Sequence, residues 1–145
     1  MINIFKLGYL FVLPAILTMT SCSDDPIGLS KPQITRMATK ADTTFTWVIP
    51  KDLNSGIKCS DYGKGCMNGH MAAVRKIDFV MVKFDSTQAA KEEALRIDQY
   101  YAQNWVFDDV ANEPIVEKFI METFGATRPL EELKKKQKEL KQKQN

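Results

Sequence analysis

Apolar and polar residues alternate along two stretches of the chain. From Thr43 to Ile49, Phe45, Trp47 and Ile49 fall on one face and Thr44, Thr46 and Val48 on the other. Alternation of β-branched and aromatic residues predicts a half-buried strand, and Pro50, which has no N–H for a ladder, ends it. Met71 to Phe84 predicts a second, longer strand, in which Ile77, Phe79, Met81 and Lys83 alternate with Asp78, Val80, Val82 and Phe84. Phe79 to Val82 is apolar on both faces, so the middle of this strand belongs in the centre of a sheet with cover on each side.

Beyond Phe84 the period changes to that of a helix. Ser86 is the expected N-cap, and Ala90, Ala94, Ile97 and Tyr101 recur at helical spacing, predicting a helix over 87–104 with a Glu92–Arg96 pair on its outer face. Val106 to Asn112 reads as a turn region, with a short extended piece at Trp105-Val106-Phe107. Pro114 suits the first position of a second helix, striped by Ile115, Phe119, Ile120 and Phe124, and Gly125 suits its C-terminal cap. Leu130 to Asn145 is a third helical segment, rich in lysine. Leu130, Leu133 and Leu140 suggest a seam that Gln137 interrupts, too short for a coiled coil.

These elements predict an α+β fold: a small antiparallel sheet of two or three strands with two helices packed on one face, plus a lysine-rich C-terminal helical tail. The domain spans 43–128 and the charged tail 129–145. Lys51 to Gly69, with Gly56, Gly63, Gly65 and Gly69, reads as a loop of tight turns. Ser23 to Asp42, polar and punctuated by Pro26 and Pro32, reads as a flexible tether within the span 22–42.

What precedes the tether is an address. Lys6 and the amino terminus give a positive start, Leu7 to Met19 is an almost unbroken apolar run, and Thr20 and Ser21 are small. That is the anatomy of a secretory signal peptide over 1–21, too short for an ordinary membrane span. Met19-Thr20-Ser21-Cys22 resembles the lipobox of bacterial lipoproteins. The resemblance covers the first twenty-two residues and implies that Cys22 receives a diacylglyceryl group, with palmitate-type acyl chains, and becomes the new amino terminus. It implies an exported, lipid-anchored protein of the cell envelope. A serine in the place of Ser23 accompanies release to the outer membrane in enterobacterial lipoproteins, which favours that membrane over the inner one.

Charge and cysteine usage fit this address. The formal net charge is +2, but Leu130 to Asn145 holds six lysines and three acids, while Ser23 to Pro129 holds thirteen basic and fifteen acidic residues. A slightly acidic body is not the footprint of a nucleic-acid binder. Of three cysteines, lipidation of Cys22 would leave Cys59 and Cys66, an even pair that an exported protein is expected to join as a disulfide. The same pair with Asp61 and His70 invites a zinc reading, but the spacing lacks the close ligand pairs of such sites, and no metal or cofactor is expected.

Catalytic signals are weak. His70 is the only histidine, and no serine sits in a Gly-x-Ser-x-Gly turn. Asp108-Asp109 is the one carboxylate pair placed for acid/base work or Ca²⁺, without the spaced oxygens of an EF-hand loop. Among the aromatics, Tyr101 and Trp105 are expected in the core. Tyr100 and Phe107, with His70, are the candidate binding residues, because a flat ring offers contact area for a sugar or peptide. The expected function is a non-catalytic binding or structural domain held at a membrane, with another envelope protein or a cell-wall polymer as partner. An envelope enzyme using His70 and Asp108/Asp109 is one alternative; an immunity or exclusion factor that binds another protein is a second.

Overall fold

The structure is a computed structural model and describes residues 28–52 and 55–143. The apolar leader and Cys22 lie outside the described residues. The order of elements is α1 (Lys31–Ala41), β1 (Thr46–Val48), a 3-10 turn (Cys59–Asp61), β2 (Cys66–Val74), β3 (Ile77–Phe84), α2 (Thr87–Ile97), β4 (Tyr100–Ala102), β5 (Trp105–Asp108), α3 (Pro114–Phe124) and α4 (Pro129–Lys143). The class is α+β as expected, but the sheet has five strands in the order β1-β2-β3-β5-β4, every neighbouring pair antiparallel.

The double-sided stretch does lie at the centre. Phe79 and Met81 of β3 point into one core with Ala72, Val74, Trp105 and Phe107. Val80, Val82 and Phe84 point into another with Ala90, Ala94 and Val106. Helices therefore cover both faces, not one. Ile34 and Ala38 of α1 and Val116, Phe119, Ile120 and Phe124 of α3 fill the first core, and α2 covers the second. A sheet buried on both sides needs cover on both, and β3 carries the apolar residues for each.

Three expectations fail for local reasons. Residues 31–41 are not tether but helix, with Ile34 and Ala38 fully buried. Ser30 begins it, its backbone N–H donating to Gln33 Oε1 at 2.8 Å in a capping box, and Pro32 lies in the first turn, where its missing N–H costs nothing.

Met71 to Phe84 is not one strand but parts of two, turned at Arg75-Lys76, where Val74 pairs with Ile77. Both turn residues have left-handed φ, 50° and 66°. This is the backbone that a two-residue hairpin requires, usually supplied by Asn-Gly.

The helix expected over 87–104 stops at Ile97. Asp98 adopts left-handed φ and ψ of 55° and 48°, Gln99 N–H donates to Ala94 O, and the chain reverses into the β4–β5 hairpin. Trp105 to Phe107 is extended, as expected, within β5. Ser86 does cap α2, its hydroxyl accepting from Ala89 N–H at 3.2 Å. Pro114 opens α3 and Gly125, with φ 66°, closes it.

Beyond α3 the chain turns back along the sheet, and Tyr101 and Thr127 exchange two backbone hydrogen bonds of 2.9 Å at the outer edge of β4. The lysine-rich tail is helical as α4, packed against α2. Among the described residues no helix is long and apolar enough to cross a membrane.

Candidate functional site

The expected disulfide is present. Cys59 and Cys66 are joined, with Cα atoms 5.5 Å apart, and the bridge ties the 3-10 turn to the start of β2. The cysteines are thus unavailable as metal ligands. Inside the closed loop, Tyr62 packs against the α2-side core and its hydroxyl donates to Asp108 Oδ2 at 2.9 Å. Burial, then the Asp108 carboxylate, raises the Tyr62 pKa, so the phenol stays protonated and serves as a donor.

The same loop rests on Glu93, whose side chain is 3% exposed. Its carboxylate accepts the Gly63 backbone N–H and two bonds from Arg96, at 2.8 and 2.5 Å. These bonds, the Arg96 ones foremost, hold Glu93 below the usual carboxylate range against the opposing effect of burial. Gly63 is required here, since a Cβ would lie 2.5 Å from Glu93 Oε2. The expected Glu92–Arg96 pair is thus replaced by Glu93–Arg96, while Glu92 accepts from Gln88.

His70 lies on β2 opposite Met81, on the face covered by α1 and α3. Lys31, the first residue of α1, places Nζ 3.3 Å from His70 Nδ1 and 4.6 Å from the centre of the Trp47 ring. The His70 ring meets Trp47 edge-on at 5.4 Å, and its centroid is 6.4 Å from that of Trp105. Thr35 fixes the arrangement, accepting Trp47 Nε1–H at 2.9 Å while its own hydroxyl donates to Lys31 O at 2.9 Å. Burial and the Lys31 charge both lower the His70 pKa. His70 is therefore neutral at pH 7, with Nδ1 placed to accept from the Lys31 ammonium, which leaves the proton on Nε2. Lys31, Trp47 and His70 are each partly exposed, so the group presents a cation, an indole and an imidazole to the outside.

Asp108 and Asp109 do not join it. Asp108 follows the alternation of β5 onto the α2 face with Val106, and Asp109 turns away at φ 57°. The sheet separates His70 from Asp108, and Asp109 lies near enough to Tyr62 on the α2 side to help raise its pKa, so neither carboxylate partners His70. Burial and the neighbouring Asp108 raise the Asp109 pKa.

Tyr100 and Phe107 are not a platform either. They pair across β4 and β5, both facing α3; Tyr100 is 9% exposed and Phe107 fully buried, stacked on Phe124 at 5.3 Å. Trp105 is fully buried, as expected of a core residue, and Tyr101 packs against the α2-side core.

One further concavity has no counterpart in the sequence reading. A cleft of about 320 Å³ lies between the end of α1, the β2–β3 turn and α3, floored by Val74, Ile115 and Phe119 and rimmed by Asp42, Arg75 and Lys118. Arg75 Nε donates to Asp42 Oδ2 at 2.8 Å across its mouth. Only the hairpin brings these residues together, so no local pattern announces the cleft. Comparison with protein-family models, curated proteins and solved structures finds no match.

Proposed function

We propose that the protein is a small envelope lipoprotein, anchored through Cys22, whose α+β body is a non-catalytic binding module. The observation that carries the anchoring is Met19-Thr20-Ser21-Cys22 at the end of a short apolar run behind a positive start. The Cys59–Cys66 bridge supports it, because such bonds persist in oxidising compartments.

The recognition surface in this reading is the Lys31–Trp47–His70 group. Its histidine is neutral and, among the described residues, faces a lysine and two indoles, none of which can orient it for proton transfer as a carboxylate would. An indole beside a cation suits a partner with both apolar and anionic groups, an envelope protein or a cell-wall polymer.

Metabolic labelling with an alkyne fatty acid should tag the wild type and leave Cys22→Ala untagged; equal labelling of both overturns the anchoring. A photo-crosslinking residue at Trp47 should trap a partner that the same residue at Lys91, exposed on α2 on the opposite face of the sheet, does not. Identical products from both positions overturn the surface.

A further inference from the structure

We propose that the end of the sheet carrying Gly28 and Asn104 rests against the lipid headgroups, with the Arg75-Lys76 hairpin pointing away from the bilayer. The inference rests on acylation of Cys22 and adds to it an orientation. Its basis is where the packed body begins. The Gly28 backbone lies so close to Asn104 that a Cβ there would be 2.0 Å from Asn104 Oδ1. Leu29 O accepts Trp105 Nε1–H at 2.6 Å, and Ile34 is fully buried one turn into α1. The packed body therefore reaches back at least to Gly28, well before residue 43.

Only residues 23–27 then separate Cys22 from the body. Six Cα–Cα steps reach at most about 20 Å, even fully extended. That length is shorter than the sheet. The eight steps of β2 from Cys66 to Val74 span about 26 Å. Gly28 lies at the Cys66 end, because Asn104 Nδ2 donates to Phe84 O and Phe84 pairs with Cys66. The hairpin lies at the Val74 end.

An acyl chain on Cys22 thus holds the first end within reach of the headgroups, and the hairpin can match that distance only if the body lies down on the bilayer. At the near end Met67 is 57% exposed, an apolar side chain available to the headgroup region, while Lys64 and Asp85, both exposed near Gly65, offset one another in charge. The Asp42–Arg75 cleft, beside the hairpin, lies at the end away from the membrane.

The test uses the full chain, acylated in a bacterial host and reconstituted in vesicles of phosphatidylethanolamine and phosphatidylglycerol with an acceptor dye on a fraction of the headgroups. A donor dye is attached through a non-canonical residue at Gln88, exposed in the first turn of α2, or at Asp78, exposed beside the hairpin. Energy transfer should be severalfold greater from position 88 than from position 78, and a twenty-residue Gly-Ser insertion between Ile27 and Gly28 should erase the difference. Equal transfer from the two positions in an acylated chain, or a difference that survives the insertion, overturns the orientation alone. A mass spectrum showing unmodified Cys22 overturns the anchoring and the orientation together.

Discussion

The indole N–H of Trp105 donates to the carbonyl of Leu29 at 2.6 Å, joining the segment before α1 to the first residue of β5. One and two turns into α1, Ile34 and Ala38 are sealed into the same core. The amino-terminal arm is thus a structural element of the domain, and its contribution can be measured.

Ile34→Ala removes a fully buried side chain and leaves a cavity that the sheet below cannot fill. The expected loss is about 2–4 kcal/mol in urea unfolding. A loss below half a kcal/mol, the range of surface substitutions, would return the segment to the role of a tether.

Replacing Cys59 and Cys66 together by Ala releases a short loop, at an expected cost of about 2–3 kcal/mol on the chain-entropy account. Tyr62→Phe, which removes only the hydrogen bond to Asp108, should cost about 1 kcal/mol. Equal effects of the two changes would mean that the Tyr62 contact, not the bridge, holds the loop.

Glu93 links stability to pH. Its pKa in the folded protein lies below the ordinary 4.5, so its bonds to Arg96 and Gly63 contribute fully above that value and are lost as the pH falls through the lower, folded pKa. Unfolding free energies measured from pH 7 down to pH 2 should decline more steeply for the wild type than for Glu93→Gln. Parallel curves would show that folding leaves the Glu93 pKa unchanged, and a shallower decline for the wild type would show that the carboxyl is protonated in its pocket.

His70 offers a clean probe because the chain has no other histidine. Its pKa is depressed below 6.5, first by burial and then by Lys31. The unfolded chain therefore binds the proton more readily, and this group lowers stability as the pH falls through 6.5, with no effect well above it. Lys31→Met should move the imidazole titration upward in an NMR pH series, though not fully to 6.5, since burial remains. An unchanged midpoint would place the ammonium too far away to act.

Lys76→Gly should stabilise the protein by about 1 kcal/mol, since glycine occupies the left-handed region without the strain a side chain brings. Thermal unfolding reads this directly. A lower Tm would show that the Lys76 side chain supplies more than the turn costs.

Much of the fold was legible where pattern and packing agree. Phe79 to Val82 announced a central strand, and Ser86, Pro114 and Gly125 announced helix ends, because capping is chemistry within a few residues. The hairpin was not legible, because Arg75-Lys76 lacks the glycine or asparagine that usually marks a left-handed turn. The end of α2 was hidden for the same reason, since Asp98 takes the place of a glycine. Helix α1 did carry a signal: Ile34, Met37, Ala38 and Ala41 keep helical spacing behind Ser30 and Gln33, but prolines and polar residues masked it. The Cys59–Cys66 bridge followed from counting cysteines. The surroundings of His70 could not follow from any local pattern, since Lys31 and Trp47 reach it only once α1 and β1 are packed.

The bridge between Tyr101 and Thr127 has a consequence for the order of events in folding. Strand β4 gains its outer neighbour only from residues that follow α3, and the arm at Leu29 waits for Trp105, seventy-six positions later. The first and last parts of the domain are each held by contacts with its middle. Neither the amino-terminal arm nor β4 therefore has its full set of partners until the chain is present from Leu29 through Thr127.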